Sequence, residues 1–269
     1  MMNATLKNMT ESDHGIWLAS MGTYLVSVAV FWVVGTLFLV VDVTGRPAWM
    51  KQFKVQPGKN EPVKSGPLWQ TTKVVITNQI FVGLPLSFVN AGLQRYRGCD
   101  LTLTLPQPVD FIRDFAVFVV LEEFGFYYSH RLLHHPVFYS WIHKQHHEWT
   151  APVSYVAVYA HPIEYIFSNI IPLVLGPLVC GSCLLTTWAW FAVATFTTMI
   201  HHSGYHLPIL TSSEFHDFHH LKYNVNYGVT GLLDWFHGTD LKFRAAPQFD
   251  RHRMIFSAGD MKLREDKMK

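Results

Sequence analysis

Long apolar runs alternate along the chain with shorter polar stretches. Residues 16–41 are apolar without a charge, longer than the roughly 20 residues that cross a hydrocarbon core. They lack the basic lead and small-residue cleavage site of a secretory signal, so they predict a membrane anchor. Residues 74–93 form a second run, interrupted by Asn78, Gln79, Pro85 and Asn90. Polar side chains inside a span face other helices. A third segment, 111–129, carries Arg113, Asp114, Glu122 and Glu123. Carboxylates there are costly in lipid and are expected against the metal-site region or at the interface. Residues 165–180 and 184–200 are apolar again and are split by Gly181-Ser182. They predict a helical hairpin that enters and leaves by one face.

The polar stretches fix an orientation. Residues 42–73 carry Arg46, Lys51, Lys54, Lys59, Lys64 and Lys73 against Asp42 and Glu61, and short positive loops beside spans stay cytoplasmic. The first 15 residues, with sequons at Asn3 and Asn8, are then luminal. The expected organisation is a luminal tail (1–15), an anchor region (16–110, spans at about 16–41 and 74–93), a histidine-bearing domain (111–240) and a basic C-terminal tail (241–269).

Those same polar stretches hold the histidines. Thirteen of sixteen lie between positions 130 and 220. Ten fall into four groups: His130 and His134; His143, His146 and His147; His202 and His206; His216, His219 and His220. Residues three or four apart share a helix face, so each group can aim two or three imidazoles at one point. Ten ligands suit two metal ions, and imidazole suits iron, zinc, copper or nickel. His135, His161, His201 and His237 lie outside this spacing and are expected in supporting or packing positions. The hairpin must bring 143–147 and 216–220 to one side of the membrane, which orientation makes the cytoplasmic one. The fold class expected is all-α: a polytopic helical membrane protein with a cytoplasmic, histidine-rich di-metal cap.

Composition narrows the alternatives. Hydrophobic residues make up 49% and charged ones 15%, against about 25% charged in soluble domains. A net charge of +2 gives no grounds for a nucleic-acid partner. Cys99, Cys180 and Cys183 make no disulfide framework. A metal transporter would place its ionisable groups within the apolar runs; here they lie at the edge. The Glu-x-x-His motif of di-iron carboxylate bundles occurs only at Glu11–His14, in the N-terminal tail. An all-imidazole pair of metals points instead to oxygen activation against an unactivated C–H bond.

The stretches Ser129-His130-Arg131-Leu132-Leu133-His134-His135, Ile142-His143-Lys144-Gln145-His146-His147-Glu148, Ala160-His161-Pro162-Ile163-Glu164 and Phe215-His216-Asp217-Phe218-His219-His220 resemble the fatty acid hydroxylase / sterol desaturase superfamily. The similarity runs from about Phe53 to Asp240 and is close to the C-4 methylsterol oxidases. It implies a non-haem di-iron oxygenase of the endoplasmic reticulum membrane. The cofactors would be two iron ions, with zinc a substitute in preparations. Electrons would come from cytochrome b5 or its reductase, since the chain lacks the His-Pro-Gly-Gly element of a fused haem domain. All ten grouped histidines carry over as ligands, with His161 and Glu164 in supporting positions. At the position of His206, methylsterol oxidases often carry an acidic residue and fatty acyl hydroxylases a histidine. The implied substrate is a lipid, a 4-methyl sterol ahead of a fatty acyl chain, and a non-catalytic relative in lipid-linked regulation is a further alternative.

Overall fold

The computed structural model describes residues 2–256, with side chains from Asp13 onward; the two sequon asparagines fall outside the described side chains. Among the described residues the fold is helical throughout, without a strand. Three helices are long and apolar enough to cross a membrane: α1, described as a span over Asp13–Thr44; α2, Ser65–Arg97; and α4, Pro162–Cys180. Two more complete the bundle, α3 (Pro108–Leu133) and α5 (Leu184–His201). Helix α1 packs on α2 and α5, and α3 packs on α4.

Local chemistry sets the ends. Helix α2 stops at Gly98, which takes the left-handed φ of 81° that a Cβ would oppose. Pro108 starts α3 and Pro162 starts α4, at positions where the missing N–H costs nothing. The His161 side chain accepts the Ile163 N–H at 3.2 Å and so caps α4. Gly181, at φ 68°, turns the chain between α4 and α5. The next residue, Ser182, donates to Asp114 on α3 at 2.6 Å, so one charge of the third segment fastens this hairpin. Helices α2 and α4 each contain a π-turn, at Gln79–Gly83 and Tyr165–Ile170.

The polar residues of the second run face inward. Asn78 Nδ2 donates to Ala160 O at 2.8 Å, and Gln79 accepts from the Trp32 indole at 2.9 Å. Leu25, Val33 and Leu37 of α1 and Phe81 and Val89 of α2 are exposed, leaving an apolar outer face on these helices. Inside, Phe118 of α3 meets Trp190, Phe191 and Ala194 of α5. Gly176 permits the approach of α4, because a Cβ there would stand 2.5 Å from the Phe118 ring.

Below the bundle lies a cap built from loops and short helices. Part of the positive loop 42–73 is buried in it: Lys54 is 4% exposed and pairs with Asp42, which also accepts from Tyr205 Oη at 2.9 Å. Helix α6 (Glu214–Lys222) crosses the cap, and α7 (Leu232–His237) packs against the end of α3. Residues 241–256 fold back onto the same body. Arg251 pairs with Glu214 at 2.9 Å, and Ile209 N donates to Ile255 O at 2.8 Å.

Candidate metal centre

Four elements deliver the histidines. The last turns of α3 carry His130 and His134. A π-turn at Tyr139–His143 and a 3-10 turn at His146–Glu148 present His143, His146 and His147. His202 caps the C-terminus of α5. Helix α6 carries His216, His219 and His220 on adjoining turns. All nine are buried, and their ligand atoms gather in two clusters, each within 4.8 Å. One comprises His130, His134, His143, His147 and His219; the other comprises His146, His202, His216 and His220.

Each imidazole has two nitrogens, and the structure uses them differently. Five Nδ1 atoms point outward to backbone acceptors: His130 to Tyr227 O (2.7 Å), His219 to Val225 O (2.6 Å), His202 to Thr198 O (2.9 Å), His220 to Trp149 O (3.0 Å) and His146 to Tyr159 O (3.3 Å), whereas those of His134 and His147 are buried without a partner among the described residues. His143 Nδ1 lies 2.9 Å from Glu164 Oε1. A carbonyl can only accept, so Nδ1 carries the proton and Nε2 keeps its lone pair. The Nε2 atoms then face one another. His130 and His143 are 3.1 Å apart, His147 and His219 3.1 Å, and His134 and His219 3.2 Å. In the second cluster His202 and His216 are 2.8 Å apart, His216 and His220 3.2 Å, and His146 and His202 3.4 Å.

Protonation does not relieve this crowding. Burial, reinforced by neighbouring imidazoles, holds His143, His147, His202, His216, His219 and His220 well below the ordinary histidine value. His146 is pushed down to about 4, again by burial. Neutral rings with bare lone pairs about 3 Å apart repel unless a cation sits between them. Nitrogens bound at about 2.0–2.1 Å to one ion stand about 2.8–3.4 Å apart at right-angle to tetrahedral spacing. The observed separations fall close to that range, so the donor set fits a pair of metal ions.

A chamber opens from this centre into the bundle. His130 and His143 of the first cluster and His146, His202 and His216 of the second lie on its wall. Residues of α1, α2, α3, α4 and α5 close the rest, among them Phe31, Gln79, Phe126, Leu173 and Phe191.

The fatty acid hydroxylase profile matches residues 115–239, the stretch that contains all nine clustered histidines. The chain is also 47% identical over 84% of its length to fatty acid hydroxylase domain-containing protein 2 of Homo sapiens, of which it covers 68%. It belongs to the fatty acid hydroxylase family. Two further relatives in this family carry other activities in their names. A methylsterol monooxygenase of Arabidopsis thaliana is 31% identical, across 91% of this chain and 92% of that protein. A very-long-chain aldehyde decarbonylase of Oryza sativa subsp. indica is 34% identical, across 84% and 87%. No solved structure matches. The superfamily is one of oxidoreductases.

His206, expected among the ligands of this fatty acid hydroxylase chain, lies in neither cluster. Helix α5 ends at His201, and Gly204 at φ 71° reverses the backbone. The four-residue spacing from His202 therefore does not put His206 on the same helical face. It is fully buried instead, with its N–H donating to Phe53 O at 2.8 Å and its ring 3.5 Å from Ser212 Oγ. His161 sits at the helix cap described above and in neither cluster, whereas Glu164 lies against His143.

Two carboxylates that spacing left without a role shape the centre from outside. Glu123 accepts the N–H groups of Val229 (2.9 Å), Thr230 (2.8 Å) and Leu233 (3.1 Å). Asp234 accepts those of Tyr227 and Gly228, each at 2.7 Å. Together they hold the loop whose carbonyls fix His130 and His219.

Proposed function

We propose that this protein is a di-iron oxygenase of the endoplasmic reticulum membrane that oxidises a lipid C–H bond with O₂, and that its substrate is a 4-methyl sterol. The observation that carries this reading is the chamber: an apolar pocket inside the bundle whose wall includes histidines of both clusters. Bound iron would supply oxygen activation and the redox equivalents for hydroxylation. The chain's own part is to keep the imidazoles neutral, orient them through Nδ1 and exclude water from the reacting carbon. Glu164 holds His143, and the five helices around the chamber let a lipid reach the metals from the bilayer.

The sterol reading draws on the methylsterol monooxygenase relative and on one buried hydroxyl. Ser168 Oγ lies within the chamber wall and has no hydrogen-bond partner among the described residues. It is four residues beyond Glu164, within the π-turn of α4. A 4-methyl sterol carries its 3-hydroxyl beside the reacting methyl, so a hydroxyl contact close to the metals suits it. Hydroxylation of a fatty acyl chain is the second reading, favoured by the family's hydroxylase members. Electrons would arrive from cytochrome b5 or its reductase. Lys144 and Lys222, both exposed and each within two residues of a clustered histidine, offer charge to an acidic donor on the cytoplasmic face, and such steering weakens with salt.

Lipid profiling after loss of the protein tests the assignment. Accumulated 4-methyl sterols with unchanged 2-hydroxy acyl lipids are expected. Depleted 2-hydroxy acyl lipids with unchanged sterols would transfer the assignment to the acyl chain.

A further inference from the structure

The outward contacts of the two clusters differ in charge. In the five-histidine cluster His143 meets a carboxylate directly, Glu164, at 2.9 Å. His130 meets one at a remove. Its Nδ1 donates to Tyr227 O, and the N–H of that same peptide unit, on Gly228, donates to Asp234 Oδ2 at 2.7 Å. Asp234 is fully buried. An anion on the N–H side of a peptide polarises it, so its carbonyl accepts more strongly, and hydrogen bonds in such a chain reinforce one another. The far end of the chain is His130 Nε2, which becomes the better donor to a metal. The approach needs a residue without a side chain at 228: a Cβ there would stand 2.9 Å from Asp234 Oδ2 and 2.6 Å from Glu123 Oε1.

Among the described residues, the outward partners shown for the four-histidine cluster are main-chain carbonyls. His146, His202 and His220 reach the carbonyls of Tyr159, Thr198 and Trp149. Thr198 lies inside α5, and the Ala160 N–H that shares a peptide with Tyr159 O donates to another carbonyl, Val158 O, at 3.0 Å.

We propose that the two clusters are unequal metal sites: the five-histidine site holds one ion tightly, supported by Glu164 directly and by Asp234 through the Tyr227–Gly228 peptide, and the four-histidine site holds the second ion more weakly. Asp234 is in this sense a positioning residue that acts on the metal through His130. The inequality rests on the reading of the clusters as a dinuclear centre. It places the exchangeable position in the four-histidine site, which has fewer protein ligands. Glu123 provides an internal comparison. It holds the same loop, but the carbonyls paired with its N–H partners belong to Gly228, Val229 and Leu232, none of which accepts from a clustered histidine.

The test uses the full chain in detergent micelles, loaded with zinc and challenged with graded chelator, with metal per chain read by elemental analysis. Two steps of one ion each are expected, and His216→Ala should remove the weaker one. Asp234→Asn should weaken the tighter step about 10–100-fold, the usual effect of losing an outer partner, and leave the other in place. Glu164→Gln should move the same step, which keeps the test open if Asp234→Asn does not fold. Glu123→Gln, which loosens the same loop without touching the Tyr227–Gly228 peptide, should move the tighter step less than Asp234→Asn does. A single step releasing both ions, or equal shifts in Glu123→Gln and Asp234→Asn, would overturn the inequality. Zinc that saturates at one ion per chain or fewer would overturn the dinuclear reading beneath it.

Discussion

Removing His219 is the sharpest perturbation of the centre. The side chain is fully buried, and its Nε2 stands 3.1 Å from that of His147 and 3.2 Å from that of His134. Structural zinc sites bind with about 10–16 kcal/mol over four ligands, so one ligand carries about 2.5–4 kcal/mol. At about 1.4 kcal/mol per factor of ten, His219→Ala should weaken the five-histidine site on the order of 10²–10³-fold. The same change leaves Val225 O without its donor, which costs about 1–3 kcal/mol of stability when the group stays dry. Loss of metal could therefore be blamed on unfolding, and a second variant separates the two. His206 is equally buried and the same size but belongs to neither cluster. His206→Ala should cost comparable stability and leave metal content intact. The assay is elemental analysis of both purified variants beside thermal melts. Full metal affinity in His219→Ala, or loss of an ion in His206→Ala at equal folded fraction, would refute the partition of the histidines.

Three further outcomes follow from the geometry. His146 titrates near 4 in the fold against 6.5 unfolded, so the unfolded chain takes up a proton that the fold refuses; stability is full above pH 6.5 and falls toward pH 4, by about 3 kcal/mol for this group, with the neighbouring imidazoles adding in the same direction. Melting curves between pH 7.5 and 4.5 check this, and a flat profile would contradict it. Asp42→Ala strands the Lys54 ammonium in the cap and should destabilise by about 3–5 kcal/mol, read by chemical denaturation; a loss under 1 kcal/mol would mean the ammonium finds water. Ser168→Ala should raise KM for 3-hydroxy sterols several-fold with little change in kcat, and equal effects on 3-hydroxy and 3-deoxy analogues would remove Ser168 from substrate recognition.

Periodicity is informative only where the backbone is regular. His130 and His134 on α3, and His216 and His220 on α6, are one turn apart and converge as helix geometry requires. His143, His146 and His147 come from a π-turn and a 3-10 turn and divide between the sites, His143 and His147 in the five-histidine cluster and His146 in the four-histidine one, so the group does not aim at one point as its spacing suggested. At His202 the rule fails because α5 has already ended and Gly204 redirects the chain. The bundle was legible from hydropathy: α1 and α2 extend their apolar runs by about a turn or more at each end, and the α4–α5 hairpin nearly coincides with its two runs. The Nδ1 acceptors were hidden, because most are main-chain carbonyls that every residue possesses. Glu123 and Asp234 act through the N–H groups of a loop, a pairing for which no sequence spacing exists. The lysine at 54 counted as a loop charge by composition, yet it is buried beside Asp42, which only the folded cap reveals.

The central claim is oxygenation of a lipid by a centre built from these nine histidines. It is tested most directly with the iron-loaded protein in membranes, a cytochrome b5 reducing system, a 4-methyl sterol and ¹⁸O₂. The account predicts a hydroxymethyl sterol carrying one labelled oxygen, formed by the wild type and absent from His219→Ala. A protein that holds two iron ions, consumes electrons and leaves both the sterol and the acyl lipids unlabelled would contradict it.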